Sequence, residues 1–370
     1  MSLAADIPVS SLTAKVQAIA ADLRDEYLQP HGTPWIVGFS GGKDSTLLAQ
    51  LVIEMLLDLP PSRRKRPVHI VANDTLVESP VLARHLDSVL ERLAASVEPL
   101  RLPLVVAKTT PNADQTFWVN LIGRGYPSPS RLFRWCTDRM KIRPTSDYIL
   151  EQVDAAGETI LLIGVRRTES SQRRKSVGRY DTSERLNAHT SLRGCKVYRP
   201  IVDLDTDEVW QVLLQSSPPW GGTHRELVTL YRNAGGAECP LVTDKSEAPS
   251  CGSTSSRFGC WTCTVVDKDR SAEAFVEAGH GDLELLLDFR DWLKAIRERG
   301  DLRQAVRRNG RLTFVGEGRL IPGPFTLEAR QEILQRLLDT QAEVGFGLIN
   351  EAEVDRIRQI WAEEFGGHHA

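Results

Sequence analysis

The chain has 370 residues, a formal net charge of −3 and 26% charged side chains. That length admits one large α/β domain with a smaller appendage, and the slightly acidic balance gives no whole-chain electrostatic case for a nucleic-acid binder. No run of about eighteen apolar residues suggests a membrane span, and the amino terminus lacks a charged-then-apolar leader, so a cytoplasmic protein without membrane association is expected. Residues 10–28 read as an amphipathic helix, with Ser10 or Ser11 as cap and Leu12, Val16, Ile19, Leu23 and Tyr27 on one face. Strand-like segments follow at 35–39, 67–72, 104–107 and 159–165. They alternate with helix-like segments at 45–57, 79–95, 112–122, 138–153 and 206–215. Such alternation predicts an α/β fold: a doubly wound, mostly parallel sheet with right-handed crossovers and ligands beyond the carboxyl ends of its strands. Residues 216–222 read as a linker into a cysteine-rich stretch, and 301–325 as a loop or short hairpin. From about 270 onward the chain reads as mainly helical, most clearly at 283–299 and 327–343. The expected division is therefore 1–215, 216–270 and 271–370.

Between the first strand and its helix stands Ser40-Gly41-Gly42-Lys43-Asp44-Ser45-Thr46. A strand that turns through two glycines into a helix presents a row of backbone N–H groups at a positive helix end. Lys43 adds a mobile point charge, and Ser40, Ser45 and Thr46 add hydroxyl donors, which together make a phosphate-binding device. It departs from the ordinary P-loop, which needs glycine where Val37 stands and Ser or Thr where Asp44 stands. A glycine turn that only caps a helix is the plain alternative. The second strand ends in Asn73-Asp74-Thr75, beside the loop. There Asp74 or Thr75 can meet ribose or adenine, or simply cap the next helix.

A third segment sets Arg131, Arg134, Arg139, Lys141 and Arg143 around Cys136. Positive neighbours lower a thiol's pKa and favour the thiolate, so an anion site with a reactive or sulfur-carrying Cys136 is expected. The alternative is a small buried residue beneath solvated arginines. The fourth strand runs into Gly164-Val165-Arg166-Arg167, with Arg173, Arg174 and Lys175 beyond it, and guanidinium forks suit phosphate or sulfate. Residues 131–200 hold fifteen Lys or Arg against eight Asp or Glu, a local basic excess that marks this stretch as the anion-facing part. Cys239, Cys251, Cys260 and Cys263 are separated by eleven, eight and two residues. Four thiols so spaced, closed by Cys-x-x-Cys, can wrap one metal centre, with Gly252 and Gly259 giving freedom and Phe258 and Trp261 shielding. Spacing leaves zinc and an iron–sulfur cluster both open. Cys195 reads as an ordinary core or loop residue.

The loop resembles the pyrophosphate loop of the ATP pyrophosphatase superfamily, whose members cleave ATP between the α and β phosphates. Arg134, Cys136, Thr137 and Lys141, with Gly164, Arg166, Glu169 and Ser170, resemble two motifs of its phosphoadenylylsulfate reductase branch, as do residues 198–201 and 207–210. This likeness covers roughly residues 30–215. The stretch 256–266, with Asp269-Arg270-Ser271, resembles the DndC-type sulfurtransferases of bacterial DNA phosphorothioation, or their shorter SspD-type relatives. That second resemblance implies a [4Fe–4S] cluster on Cys239, Cys251, Cys260 and Cys263. Classical reductases of the branch use a thiol near the C-terminus, and no cysteine follows Cys263 here.

The expected activity is an ATP-dependent sulfurtransferase step that cleaves ATP to AMP and pyrophosphate and adenylates a DNA backbone phosphate for sulfur insertion. Ser40, Gly41, Gly42, Lys43, Asp44, Ser45, Thr46, Asp74, Thr75 and Gly164 are the expected ATP contacts. Lys43 stabilises the departing pyrophosphate, Asp44 serves Mg²⁺ or positioning, and Arg134, Arg166 and Arg167 bind the anionic substrate. Sulfur passes through Cys136 or the cluster. The expected partners are DNA, a cysteine desulfurase and other phosphorothioation proteins that supply grip on DNA; a homodimer is compatible with the sequence. The rival readings are a phosphoadenylylsulfate reductase-like enzyme, a tRNA thiolase, and a metal-stabilised nucleotide- or nucleic-acid-binding module without turnover.

Overall fold

The structure is a computed structural model and describes residues 10–168, 184–234, 259–315 and 318–366. Six strands form one sheet: β1 (Trp35–Gly38), β2 (Val68–Asn73), β3 (Leu104–Thr109), β4 (Thr159–Leu162), β5 (Leu186–Ala188) and β6 (Cys195–Tyr198). Their order is β3-β2-β1-β4-β6-β5, and every pair is parallel except β5–β6. β1 and β2 are buried on both faces, as parallel strands covered by helices must be. The period of two along β1 sends Trp35 and Val37 into the large core on one side. Ile36 goes to a smaller core with Val71, Ile149, Leu192 and Cys195 on the other.

The large core is built by α1 (Ser10–Tyr27), α2 (Lys43–Asp58), α3 (Pro80–Ser96) and α5 (Thr206–Gln215). The small core lies under α4 (Arg143–Ala156), which contributes Ile149. α2 is buried along nearly its whole length, which explains why Leu47 to Leu57 is apolar except for Gln50 and Glu54. Chain order reverses between β1 and β4, whose register pairs Trp35 with Ile160 and Val37 with Leu162. A crevice therefore opens beyond the carboxyl ends of these two strands, and the loops after both strands border it.

Further along lie α6 (Arg225–Asn233), α7 (Arg270–Glu277), α8 (Asp282–Arg297), α9 (Leu327–Val344) and α10 (Glu351–Phe365). Of the loop or short hairpin expected within 301–325, the structure has a hairpin, β7 (Thr313–Val315) and β8 (Arg319–Ile321). α9 starts on a Thr326 cap and stops at Gly345, whose φ of 75° ends the helix in the left-handed region. These helices share the main core: Ile357 and Ile360 pack where a side chain on Gly123 would stand, and Trp118 donates to the Leu348 carbonyl at 2.7 Å. No helix among the described residues is long and apolar enough to cross a membrane.

Three expectations differ from the structure. The helix expected over 112–122 is a 3₁₀ turn at Ala113–Gln115 followed by a π turn at Val119–Gly123. Asn112 caps the first turn and Gly125, at φ 69°, ends the second, so no continuous α ladder forms. A second π turn, Thr137–Ile142, runs directly into α4. β4 stops at Leu162 because the chain turns towards α2 there, and the short strands β5 and β6 lack the periodicity that would announce them.

Candidate active site

The phosphate loop forms as its glycines require. Gly41 adopts φ 73°, which a β-carbon would strain, and extended Gly42 caps α2 without any side-chain cap. Thr46 closes the first helical turn by donating its N–H to the Gly42 carbonyl at 2.9 Å. Ser45 braces the loop: its hydroxyl donates to the same carbonyl at 3.0 Å, accepts from the Ser40 N–H at 3.2 Å, and meets the Ser40 hydroxyl at 3.1 Å. The Lys43 N–H donates to the Tyr231 hydroxyl at 3.2 Å.

Lys43 is only 2% exposed, and its ammonium lies 3.2 Å from Asp44 Oδ2. The other carboxylate oxygen, Oδ1, accepts from Arg166 Nε at 2.6 Å. Asp44 is thus held between two cations, one from each side of the crevice, and its geometry is that of a positioning group. Arg166 is fully buried; its Nη1 donates to Thr168 and Thr206, each at 3.1 Å, while its Nη2 has no partner among the described residues. A buried guanidinium with a spare donor beside a row of helix N–H groups is suited to an anion. Gly164 explains how β4 reaches this place. A β-carbon there would stand 2.9 Å from the Asp44 carbonyl carbon and oxygen and 3.1 Å from the Ser45 nitrogen, so only glycine lets the strand end meet α2.

Arg167 diverges from its neighbour, with Nε donating to Asp203 at 2.8 Å in a half-exposed position. Asp74 makes an Asx turn, accepting from the Leu76 N–H at 2.8 Å, and faces Lys108 at 3.4 Å. Leu76 takes φ 64° to close that turn. Thr75 is fully buried, donating to Glu78 at 3.0 Å and meeting the Cys260 sulfur at 3.2 Å. Thr75 therefore serves the cysteine site, whereas expectation placed it with nucleotide.

The Cys-x-x-Cys turn is seated on the loop after β2. Glu78 and Cys260 form an antiparallel bridge, Trp261 N–H donates to Val77 and Ser79 N–H donates to Gly259. Cys263 N–H closes the turn on the Cys260 carbonyl at 3.0 Å. Trp261 locks it from behind against Trp118 and Phe289. From α8, fully buried Arg290 donates to the carbonyls of Cys263, Val266 and Asp267. Arg297 reaches Pro129 and Thr264.

Cys136, treated as separate by the sequence, stands at the same site. Burial first, and then the nearby Cys263, push its thiol pKa up, against the smaller pull of Thr137 and Lys141. The expected low-pKa thiolate is thus corrected: the arginines of this segment do not surround the sulfur. Arg143 pairs with Asp138 at 2.8 Å, Arg131 faces Asp267 at 3.8 Å, Arg139 binds Gln115 and Tyr126, and Arg134 is exposed. The cation that attends the thiols is Lys141, 3.2 Å from Glu78. Burial opposes its charge, but Cys260 and Glu78 outweigh it and raise the ammonium's pKa. Cys260 is itself pushed up by burial and by Glu78. Cys239, Cys251, Glu169, Ser170, Arg173, Arg174 and Lys175 lie outside the described residues. Among the described residues no three His, Cys, Asp or Glu side chains already stand as a metal site. Cys260 and Cys263 share one turn and Cys136 lies near Cys263, and thiols are the donors that suit a thiophilic metal.

Two residues of the site went unread in the sequence, Tyr231 and His224, both on or at α6. The signal was the spacing Leu227, Leu230, Tyr231, an apolar stripe on a short helix.

Residues 34–266 match the family model described as the phosphoadenosine phosphosulfate reductase domain. An uncharacterised protein of Methanocaldococcus jannaschii is 24% identical over 187 residues, which are 50% of this chain and 32% of that protein. The chain thus spans about a third of that relative's length. The solved phosphoadenylyl-sulfate reductase of Candida auris, in complex with phosphate, is 13% identical with a TM-score of 0.31, over 53% of this chain and 84% of that one. The U34-tRNA thiolase of Methanococcus maripaludis with its [4Fe–4S] cluster is 16% identical with a TM-score of 0.34, over 61% and 76%. Candida glabrata FMN adenylyltransferase, bound to FMN and an ATP analogue, is 15% identical with a TM-score of 0.34, over 56% and 60%.

Proposed function

This chain belongs to the phosphoadenosine phosphosulfate reductase domain family, and from that premise we propose that it is an ATP-dependent sulfurtransferase acting on DNA. The observation that carries the nucleotide half is the Lys43–Asp44–Arg166 chain across the crevice, ending in a buried guanidinium nitrogen without a partner among the described residues. ATP binds there, its β and γ phosphates on the loop; Mg²⁺, when bound with it, would neutralise phosphate charge. An oxygen of a DNA backbone phosphate attacks the α-phosphorus, the bond to the bridging oxygen breaks, and pyrophosphate leaves against Lys43 and the loop N–H groups. Asp44 fixes both cations, Arg166 meets the nucleotide phosphates, and exposed Arg134 attracts the anionic acceptor. The terminal sulfur of a desulfurase persulfide then attacks the activated phosphorus, the bond to the AMP oxygen breaks and AMP leaves. A thiol, such as the free cysteine supplied, cleaves the remaining S–S bond, leaving sulfur on phosphorus and a disulfide behind.

Cys260, Cys263 and Cys136 would hold an iron–sulfur cluster, with the remaining thiol from the stretch bearing Cys239 and Cys251; when bound, the cluster supplies iron with affinity for sulfur. Lys141 offsets the negative charge that such a thiolate set carries. The acceptor assignment rests on the resemblance of residues 256–266 and 269–271 to DNA phosphorothioation sulfurtransferases.

The test is reconstitution of anaerobically purified protein with Mg–ATP, cysteine, a desulfurase, partner proteins and an oligonucleotide. Nuclease-resistant phosphorothioate dinucleotides, identified by mass spectrometry, are the expected product. Sulfite released from an adenylylated sulfate by a thiol donor, with no sulfur in DNA, would assign the reductase activity instead. A colourless protein carrying one zinc would remove the cluster from the proposal.

A further inference from the structure

We infer that the Tyr231 hydroxyl occupies the place of a phosphate oxygen on the loop, so that a nucleotide must displace it before pyrophosphate chemistry begins; the inference rests on the loop's being a nucleotide phosphate site. Lys43 N–H is among the first donors of α2, which have no intrahelical acceptor and which a phosphate-binding helix turns towards its anion. Here that N–H points at Tyr231 Oη, 3.2 Å away. The Lys43 ammonium stands over the same ring, 5.4 Å from its centroid, with the lysine side chain 3% exposed. The phenolic oxygen also lies 3.3 Å from where a β-carbon on Gly42 would be, so it fills the concavity that the glycine leaves. One side chain thus meets the backbone donor, the lysine and the glycine gap that a phosphate would use.

The occupant is held in place. Trp210 meets the Tyr231 ring edge-on at 5.0 Å and 89°. α6 is tied to α3 by the Arg92–Glu226 fork at 3.1 and 2.8 Å, and to α2 through His224 and Gln50 at 2.7 Å. Spinning the ring about its axis leaves the hydroxyl where it is, because the oxygen lies on that axis. Release therefore requires the side chain to swing about its Cα–Cβ bond out of its contact with Trp210, or α6 to shift, which makes Tyr231 on α6 a latch over the loop. The exchange is favourable for an anion, since a phosphate oxygen accepts a charge-assisted bond where the phenol accepts a neutral one.

The test is Tyr231→Phe in the full chain, which keeps the ring on Trp210 and removes only the competing oxygen. Titration calorimetry with magnesium pyrophosphate and Mg–ATP is expected to show binding about three- to tenfold tighter than wild type, the equivalent of one neutral hydrogen bond. AMP, which brings no β phosphate to the loop, is expected to bind both proteins alike. Unchanged pyrophosphate binding overturns the inference, and so does an equal gain for AMP, which would signal general loosening. Weaker pyrophosphate binding also overturns it, by making the hydroxyl a ligand of the anion. Wild-type protein that binds neither pyrophosphate nor ATP would remove the phosphate site itself, and the latch with it.

Discussion

Replacing Arg166 by Met separates a structural from a functional reading of the crevice. The guanidinium is fully buried, with one bond of 2.6 Å to Asp44 and two of 3.1 Å to Thr168 and Thr206. Losing them costs about 1.5–3 kcal/mol for the charged bond and about 1 kcal/mol for each hydroxyl. Against this stands the penalty of burying the guanidinium, several kcal/mol, which an apolar side chain of similar length relieves. Asp44 is not stranded, because it is partly exposed and keeps Lys43 at 3.2 Å. The two sides nearly cancel, so the unliganded variant is expected to lie within about 2 kcal/mol of wild type. ATP affinity behaves differently, since the spare Nη2 donor is lost without compensation. A charged contact worth about 1.5–3 kcal/mol corresponds to roughly a ten- to hundredfold weaker Kd. Urea unfolding and calorimetric ATP titration measure the two quantities on the same preparation. A loss of more than about 4 kcal/mol in stability, with ATP affinity unchanged in the folded fraction, would refute the reasoning by making Arg166 a purely structural ion-pair partner.

Gly164→Ala drives a β-carbon against the Asp44 and Ser45 backbone, so a loss of about 1–3 kcal/mol in urea unfolding is expected together with weaker ATP binding. Arg290→Ala leaves the carbonyls of Cys263 and Val266 without the arginine donor, while that of Asp267 keeps Lys294 at 3.0 Å. It is expected to cost about 2–5 kcal/mol, from two carbonyls left unsatisfied, and to lower the iron content of the anaerobically purified protein, with partial rescue by Arg290→Lys. Cys136→Ser, Cys260→Ser and Cys263→Ser should each reduce bound iron and its visible absorption, whereas Cys195→Ser, buried against Ile36 and Ile149 in the far core, should leave both unchanged. His224 is buried against Gln50 and its pKa is lowered to about 4 by desolvation. Its folded pKa lies below the unfolded value of about 6.5, so the neutral form stabilises the fold above that pH and the contribution is lost as pH falls towards 4. Thermal melts from pH 7 to 4 should show this decline, and His224→Gln should flatten it.

Much of the architecture was legible because its signals are local. Gly41 and Gly42 between an apolar strand and an apolar helix could form only a tight strand–helix turn, and the alternating segments from Trp35 to Leu162 predict the parallel sheet they form. What escaped was set by packing. Sequence weighs Arg134, Arg166 and Arg167 alike, yet one is exposed, one fully buried on Asp44 and one turned to Asp203. Gly164 reads as a nucleotide contact, whereas its lack of a side chain is what admits the β4 end to α2. The five basic residues around Cys136 suggested an activated thiolate, but four are paired with other groups and burial governs the sulfur. Its nearness to Cys263 depends on a contact across more than a hundred residues, which no local pattern encodes. The π turn at Thr137–Ile142 is equally silent, since residues three and four apart stay apolar or polar whichever carbonyl accepts the hydrogen bond.

The central claim is cleavage of ATP between its α and β phosphates in the crevice between β1 and β4. Chromatography of the products formed from Mg–ATP by the anaerobically purified protein, with acceptor DNA, desulfurase and partner proteins, tests it most directly. AMP and pyrophosphate in equal amounts, both abolished by Lys43→Ala, are the predicted result. Formation of ADP and inorganic phosphate, or no turnover by a protein that binds ATP, would contradict it.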